Sequence, residues 1–265
     1  MPPIAVAATA PFGADVLERL ARTQDVTALV TRPDSPRGRG RRVQPPPAKE
    51  TAERLGIPVW QPERLDASFD PPAQTVVVCA YGLLIPESLL ARALWLNVHP
   101  SLLPRWRGAA PVERAIMAGD EATGVSIIRL VRELDAGPLA AQDQFAVPLD
   151  WTAGDVFERA AETAETLLTA GALEGASFVP QPEEGVTYAA KITPADRVID
   201  WSRPAREVHD RIRALSPHIG ARGEVDGRDL IVWRSRLVDD RLELVEVQPP
   251  GGRRMTYEEY LRGLR

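Results

Sequence analysis

The chain has 265 residues and a formal net charge of −5, which excludes a generally basic nucleic-acid binder and leaves only a local patch for such contact. With 44% hydrophobic and 26% charged residues it can bury the core of one large domain and a small one. One cysteine excludes an internal disulfide and a cysteine-cluster metal site, the three histidines form no HExxH pattern, and no apolar run approaches a membrane span, so a cytoplasmic protein with neither metal nor membrane anchor is expected.

Residues 4–10 read as a buried strand, 15–21 as a helix and 26–31 as a second strand, an order that implies a parallel sheet with a right-handed crossover. Residues 32–47 are so rich in Pro, Gly and Arg that no regular structure is expected there. A helix over 48–55 ends at Gly56, and 58–61 offers a third strand. Residues 75–80, with Thr, three Val, Cys and Ala, form the strongest strand, apolar enough for burial on both faces. Cys79 lies inside it, where a small buried side chain belongs, and is expected to be unreactive. A helix opens at Pro86, a strand covers 95–99, a helix 110–118, and a strand 123–130 can pair antiparallel with 142–147. A long helix over 152–173 carries Val156, Ala160, Ala164, Leu167 and Leu168 on one stripe. Trp60, Trp95 and Trp151 are most simply structural. Residues 178–199 read as a linker between a domain over 1–177 and a second over 200–265. The second domain offers a helix at 205–215, strand pieces at 223–225, 230–234 and 242–247, and a short helix at 257–261.

The chemistry concentrates in Asn97-Val98-His99 and in Leu134-Asp135-Ala136-Gly137. Open parallel sheets place ligand sites beyond the carboxyl ends of their strands, and residues two apart on a strand share a face. Asn97 and His99 can therefore face one cleft. If the two strand ends meet, Asp135 can accept from one ring nitrogen of His99, fix the tautomer and raise the basicity of the other nitrogen. The Asn97 amide can donate to an oxyanion. By residue type alone, His99 serves equally well as a structural hydrogen-bonder and Asn97 as a turn cap. Arg32, Arg37, Arg39, Arg41 and Arg42 put dense positive charge in one loop, for phosphate contact or simply for solvation. Arg105, Trp106 and Arg107 suit a clamp or packing.

Residues 97–111, Asn-Val-His-Pro-Ser-Leu-Leu-Pro-Arg-Trp-Arg-Gly-Ala-Ala-Pro, closely resemble the methionyl-tRNA formyltransferase family. So do residues 80–86 (AYGLLIP), 124–127 (GVSI) and 134–137 (LDAG). The arginine loop is similar to that family's tRNA-contacting loop, and residues 188–192 and 199–202 to its interdomain region. The likeness runs nearly end to end. The Asn, His, Ser-Leu-Leu-Pro and Asp set is common to folate-dependent formyltransferases, whereas Arg-Trp-Arg-Gly-Ala-Ala-Pro with the arginine loop is more specific.

The resemblance implies an α/β fold. It comprises a Rossmann-like open, mostly parallel sheet with helices on both faces, plus a small OB-like β-rich C-terminal domain. A five-stranded OB barrel needs about a hairpin more strand than residues 220–248 provide, so that domain is expected to be shortened. The resemblance also implies a donor, 10-formyltetrahydrofolate, and an acceptor, the α-amine of methionyl initiator tRNA. Asn97 and His99 would polarise the formyl carbonyl and hold the oxyanion, while Asp135 would orient His99 and help move the amine proton. Ser101, Leu102, Leu103 and Pro104, with Tyr81 and Gly82, would line the folate pocket. Arg32, Arg37, Arg39, Arg41 and Arg42 would contact tRNA. A monomer is expected. The family's early glycine is missing from the first turn, Thr9-Ala10-Pro11-Phe12-Gly13, and no GxGxxG pattern supports a dinucleotide. Two alternatives remain: a formyltransferase acting on a small amine such as an amino sugar nucleotide, and a non-catalytic RNA-binding relative.

Overall fold

Apolar runs bounded by proline and glycine set the strands and helices of the chain. The structure, a computed structural model, describes residues 2–37, 42–173 and 177–264. The first half contains β1 (Ile4–Ala8), α1 (Pro11–Thr23), β2 (Val26–Val30), β3 (Ser35–Arg37), β4 (Arg42–Gln44), α2 (Pro47–Leu55), β5 (Val59–Trp60), β6 (Thr75–Cys79), α3 (Glu87–Leu90) and β7 (Leu94–His99). The second half contains β8 (Arg107–Gly108), α4 (Pro111–Met117), β9 (Ala122–Arg129), β10 (Leu139–Ala146), α5 (Ala153–Leu167), β11 (Tyr188–Ala189), α6 (Ala205–Ala214), β12 (Ala221–Val225), β13 (Arg228–Val238), β14 (Arg241–Gln248), β15 (Met255–Thr256) and α7 (Tyr257–Arg262). Proline at the first turns of α1, α2 and α4 gives each a preset start, because its missing N–H would be unpaired there anyway.

The main sheet has the order β10-β9-β7-β6-β1-β2-β5. β1 pairs in parallel with β2 and β6, β6 with β7, and β2 with β5, while β7 and β9 run antiparallel. Every residue of β1 and β6 is buried, as their unbroken apolar character requires. The chain winds outward from β1 through β2 and β5, then returns to β6 on the other side. Open sheets of this kind take their ligands beyond the carboxyl ends of the strands at such a reversal. No helix among the described residues is long and apolar enough to cross a membrane.

Residues 32–47 hold more order than their composition predicts. β3 and β4 form an antiparallel ladder, with Ser35 opposite Gln44, Pro36 opposite Val43 and Arg37 opposite Arg42. A two-stranded ribbon has no second neighbour to demand the N–H that proline lacks, so Pro36 is tolerated. The base of the ladder is tied down by Asp34, which accepts from Lys49 Nζ at 2.9 Å and from Gln61 Nε2 at 2.7 Å. Those two partners hold the Asp34 carboxyl below its ordinary range, the Gln61 bond first.

The chain divides into two compact units. One holds the residues up to Arg107 with Gly124–Gln144 and Glu158–Thr187, and the other Gly108–Thr123, Phe145–Phe157 and Tyr188 onward. In the second unit β12-β13-β14-β15 form an antiparallel meander, longer in each strand than the sequence pattern indicated. Its two-residue hairpins turn on Asp226-Gly227 and Asp239-Asp240, all four with positive φ, the turn whose twist matches the strands. Val208, Ile212 and Leu215 of the α6 region pack with Leu230, Val232 and Val247 of the sheet. Among the described residues the sheet has four strands, the last of only two residues, in place of a five-stranded barrel.

Candidate active site

Three segments of the first unit converge on one imidazole. β7 places Asn97 and His99 on the same face, and the loop after β9 brings Asp135 against both. Asn97 Nδ2 donates to Asp135 Oδ1 at 3.3 Å. His99 Nδ1 lies 3.7 Å from Asp135 Oδ2, with the two side chains 5% and 10% exposed. On the other side of the ring, His99 Nε2 is 2.8 Å from the Trp106 carbonyl oxygen.

That last contact fixes the protonation pattern. A carbonyl only accepts, so Nε2 carries the hydrogen and a neutral ring turns its Nδ1 lone pair toward Asp135. The Trp106 carbonyl, and not Asp135 as the sequence suggested, therefore sets the tautomer. Burial pushes the His99 pKa below its ordinary value, against the opposing pull of the Asp135 charge and the Trp106 hydrogen bond. The ring is thus a neutral base at physiological pH, beside a carboxylate that can stabilise it once protonated.

Both groups that flank the imidazole sit on left-handed backbone. Trp106 has φ +65° and Asp135 φ +48°, uncommon for residues with a Cβ. Gly137 completes the Asp135 turn because a Cβ there would fall on the Arg129 carbonyl oxygen. Sequence reasoning missed what holds these two residues. The Trp106 N–H donates to Thr187 Oγ1 at 2.8 Å, and the Arg107 N–H to the Thr187 carbonyl at 2.9 Å. Gln181 Nε2 donates to the Asp135 and Gly137 carbonyls, both at 2.8 Å. Gln181 Oε1 accepts from Arg107 Nη2 at 2.6 Å and Nε at 3.1 Å. The available signal was Pro180-Gln181-Pro182, an amide fixed between two residues of restricted φ in a segment otherwise read as linker.

The loop 101–104 is braced from within. Ser101 Oγ donates to the Arg105 carbonyl at 2.7 Å, and Ser126 Oγ donates to the Ser101 carbonyl at 2.7 Å while accepting from the Leu103 N–H at 3.1 Å. Gln142 Nε2 reaches the Leu103 carbonyl at 3.0 Å and Ser126 Oγ at 2.7 Å. Ser101 and Leu103 are buried, whereas Leu102 and Pro104 keep part of their surface. At the end of β6, Tyr81 is buried and Gly82 is exposed with φ +76°. The Tyr81 hydroxyl has no hydrogen-bond partner among the described residues, and burial pushes its pKa up to about 12. Cys79 is fully buried and burial drives its thiol pKa upward, as expected of an unreactive core residue.

Of the arginine set, Arg32 follows β2 and is exposed, Arg42 is exposed on β4, and Arg37 lies opposite it on β3. Arg39 and Arg41 lie outside the described residues. Arg105 stacks its guanidinium 4.3 Å from the Trp106 ring centroid.

The profile of the Formyl transferase family matches residues 4–171, and that of the Formyl transferase, C-terminal domain, residues 191–241. The methionyl-tRNA formyltransferase of Paracoccus denitrificans is 40% identical over 285 residues, spanning 97% of this chain and 95% of that protein. Among solved structures, the methionyl-tRNA formyltransferase from Clostridium thermocellum shares the fold with a TM-score of 0.67 at 16% identity, covering 94% of this chain and 99% of the other. The N-formyltransferase from Helicobacter canadensis, in complex with folinic acid and dTDP-3-aminofucose, gives 0.68 at 16% identity over 90% and 88%. By its family profile over residues 4–171 and its 40% identity across nearly the whole chain, this protein belongs to the formyl transferase family, among the methionyl-tRNA formyltransferases.

Proposed function

We propose that the chain transfers the formyl group of 10-formyltetrahydrofolate to the α-amine of methionyl initiator tRNA at Asn97, His99 and Asp135. The observation that carries the site assignment is the buried His99 ring, with Nε2 held by the Trp106 carbonyl and Nδ1 left beside Asp135. The loops at the ends of β6 and β7 suit the folate donor. Leu102 and Pro104 offer apolar surface to a flat ring, and Gly82, exposed with φ +76°, allows close approach. Tyr81, Ser101 and Leu103, being buried, shape this wall rather than touch a ligand.

The donor supplies an electrophilic carbonyl carbon. His99 Nδ1 takes the proton that the attacking amine must lose, and Asp135 stabilises the resulting imidazolium; when the tetrahedral adduct collapses, the bond from the formyl carbon to the folate N10 breaks and that nitrogen takes up a proton as tetrahydrofolate leaves. Asn97 spends one N–H on Asp135 and offers the other to the oxygen that gains charge, worth about 3 kcal/mol in a dry site. Neutral His99 has no donor free for that oxygen, so the oxyanion falls to Asn97 first. No covalent enzyme species is needed; positioning and charge stabilisation carry the rate.

In this reading residues 1–177 form the catalytic domain, 178–199 connect it to a shortened OB-like domain at 200–265, and the arginines Arg32, Arg37, Arg39, Arg41 and Arg42 contact tRNA phosphates. The protein acts as a cytoplasmic monomer without a metal. The test is acceptor choice, comparing methionyl initiator tRNA, methionyl elongator tRNA and a dTDP-linked amino sugar with the same formyl donor. Transfer to initiator tRNA at the highest kcat/KM supports the reading. Preferential transfer to the amino sugar would replace it with the small-amine alternative.

A further inference from the structure

The segment that carries Gln181 and Thr187 touches every backbone element that aims a group at His99. The His99 ring is addressed from one side by the Trp106 carbonyl and from the other by the Asp135 carboxylate. Each belongs to a non-glycine residue in left-handed backbone, a conformation that persists only where neighbours hold it. Thr187 holds the first by accepting the Trp106 N–H, and Gln181 holds the second by donating to the Asp135 and Gly137 carbonyls. Arg107 closes the circuit: its backbone N–H bonds Thr187 and its guanidinium bonds Gln181. The segment is itself anchored, because Val179 exchanges backbone hydrogen bonds with Leu139 at 2.8 and 2.9 Å, on the strand that follows the Asp135 loop.

We infer that Gln181 is a positioning residue for the reaction, one that sets the distance between the Asp135 carboxylate and His99 by tying the Asp135 turn to the Arg107 guanidinium. Thr187 plays the matching part for the Trp106 carbonyl. The residues read as a connector are in this respect the rear wall of the site. This inference rests on the assignment of His99 and Asp135 as reacting groups.

The physical requirement is simple. A side-chain amide is the one uncharged group that can donate twice to carbonyls and accept from a guanidinium at once. In Gln181→Glu the acceptor for Arg107 remains, but both donors are lost and a carboxylate faces two carbonyl oxygens. In Gln181→Met the shape is kept and all four bonds are lost. Either change frees the Asp135 turn. A carboxylate that drifts from the imidazole no longer raises its proton affinity, so the His99 titration midpoint drops, and turnover falls by about 10²-fold for a displacement near 1 Å.

The test uses the full chain as wild type, Gln181→Met, Gln181→Glu and Thr187→Val. It reads the His99 ring midpoint by NMR, with kcat and the folate KM beside it. Expected are a lower His99 midpoint in both Gln181 variants, a fall in kcat on the order of 10²-fold and little change in the folate KM. A midpoint equal to wild type in a folded Gln181 variant overturns the inference, whatever happens to turnover, because a merely structural role leaves the imidazole's surroundings unchanged. If Gln181→Met does not fold, Gln181→Glu carries the same comparison. Should both fail, Thr187→Val must show a weakened bond at His99 Nε2 through its ¹⁵N shift, and an unchanged shift overturns the inference. If wild type does not act on methionyl-tRNA, the functional reading falls, yet the His99 midpoint still tests Gln181.

Discussion

Replacing Asp135 by Asn removes one charge and little else. The amide oxygen still accepts from Asn97 Nδ2, so the turn that Gly137 and Gln181 define is preserved. What disappears is the attraction, in the proposed transfer, between a carboxylate and the imidazolium formed as His99 Nδ1 takes the amine proton. Oδ2 stands 3.7 Å from Nδ1 and both side chains are about nine-tenths buried. At that separation, with an effective dielectric of about 20, the attraction is roughly 4 kcal/mol, equivalent to about 10³-fold in rate. The Asn dipole restores part of it, so the expected loss in the chemical step is about 10²- to 10³-fold. The His99 midpoint also moves further down, since the Asp135 charge is one of the two influences raising it. Single-turnover formyl transfer, with both substrates prebound, isolates the chemical step from tRNA release. A folded Asp135→Asn protein reacting within tenfold of wild type would refute the charge argument.

Other consequences are open to measurement. His99 and His209 are both held below their ordinary pKa, chiefly by burial, so they stay neutral when folded and take up protons on unfolding. Their contribution to stability is complete above about pH 6.5 and declines as the pH falls below it toward the lower folded values. The urea midpoint is expected to drop between pH 7.5 and 5.5, and to drop less in a His99→Gln, His209→Gln double variant; an equal drop in the two proteins would remove the histidines from the explanation. Gly137→Ala sets a Cβ against the Arg129 carbonyl and is expected to cost about 1–3 kcal/mol, visible as a lower urea midpoint, whereas an unshifted midpoint would mean that the turn has slack. Substituting Arg32, Arg37, Arg39, Arg41 or Arg42 by Ala is expected to raise the tRNA KM. It should also flatten the logarithmic salt dependence by about 0.7–0.9 per lost phosphate contact, with kcat at saturating tRNA unchanged. An unaltered salt slope across the set would speak for a solvated loop.

The convergence of Asn97, His99 and Asp135 was legible because its signals are local. Asn97 and His99 fall two apart at the end of a strand whose apolar neighbours fix its face, and Asp135 follows a strand whose own apolar run is buried. β6 was legible for the same reason, its Thr-Val-Val-Val-Cys run leaving no polar face. The β3–β4 ladder was not, since three-residue strands carry too little periodicity to outweigh Pro36 and the glycines around it. Trp106 hid its part because the group that matters is its backbone carbonyl, which every residue type possesses. Gln181 and Thr187 act through hydrogen bonds to residues 46 and 81 positions away, and the prolines flanking Gln181 mark a fixed amide without recording such partners. The shortened second sheet was visible from strand length alone, yet its Asp239-Asp240 turn, which lets β13 and β14 run longer than their apolar stretches, shows only in the backbone.

The most direct measurement follows a labelled formyl group from 10-formyltetrahydrofolate to methionyl initiator tRNA in wild type, Asn97→Ala and His99→Ala, each checked for folding by circular dichroism. Label is expected in formyl-methionine with wild type, with transfer slower by about 10² in Asn97→Ala and by at least as much in His99→Ala. Unimpaired labelling by folded His99→Ala would contradict the account, because no proton acceptor would then be needed at the point where β7 ends.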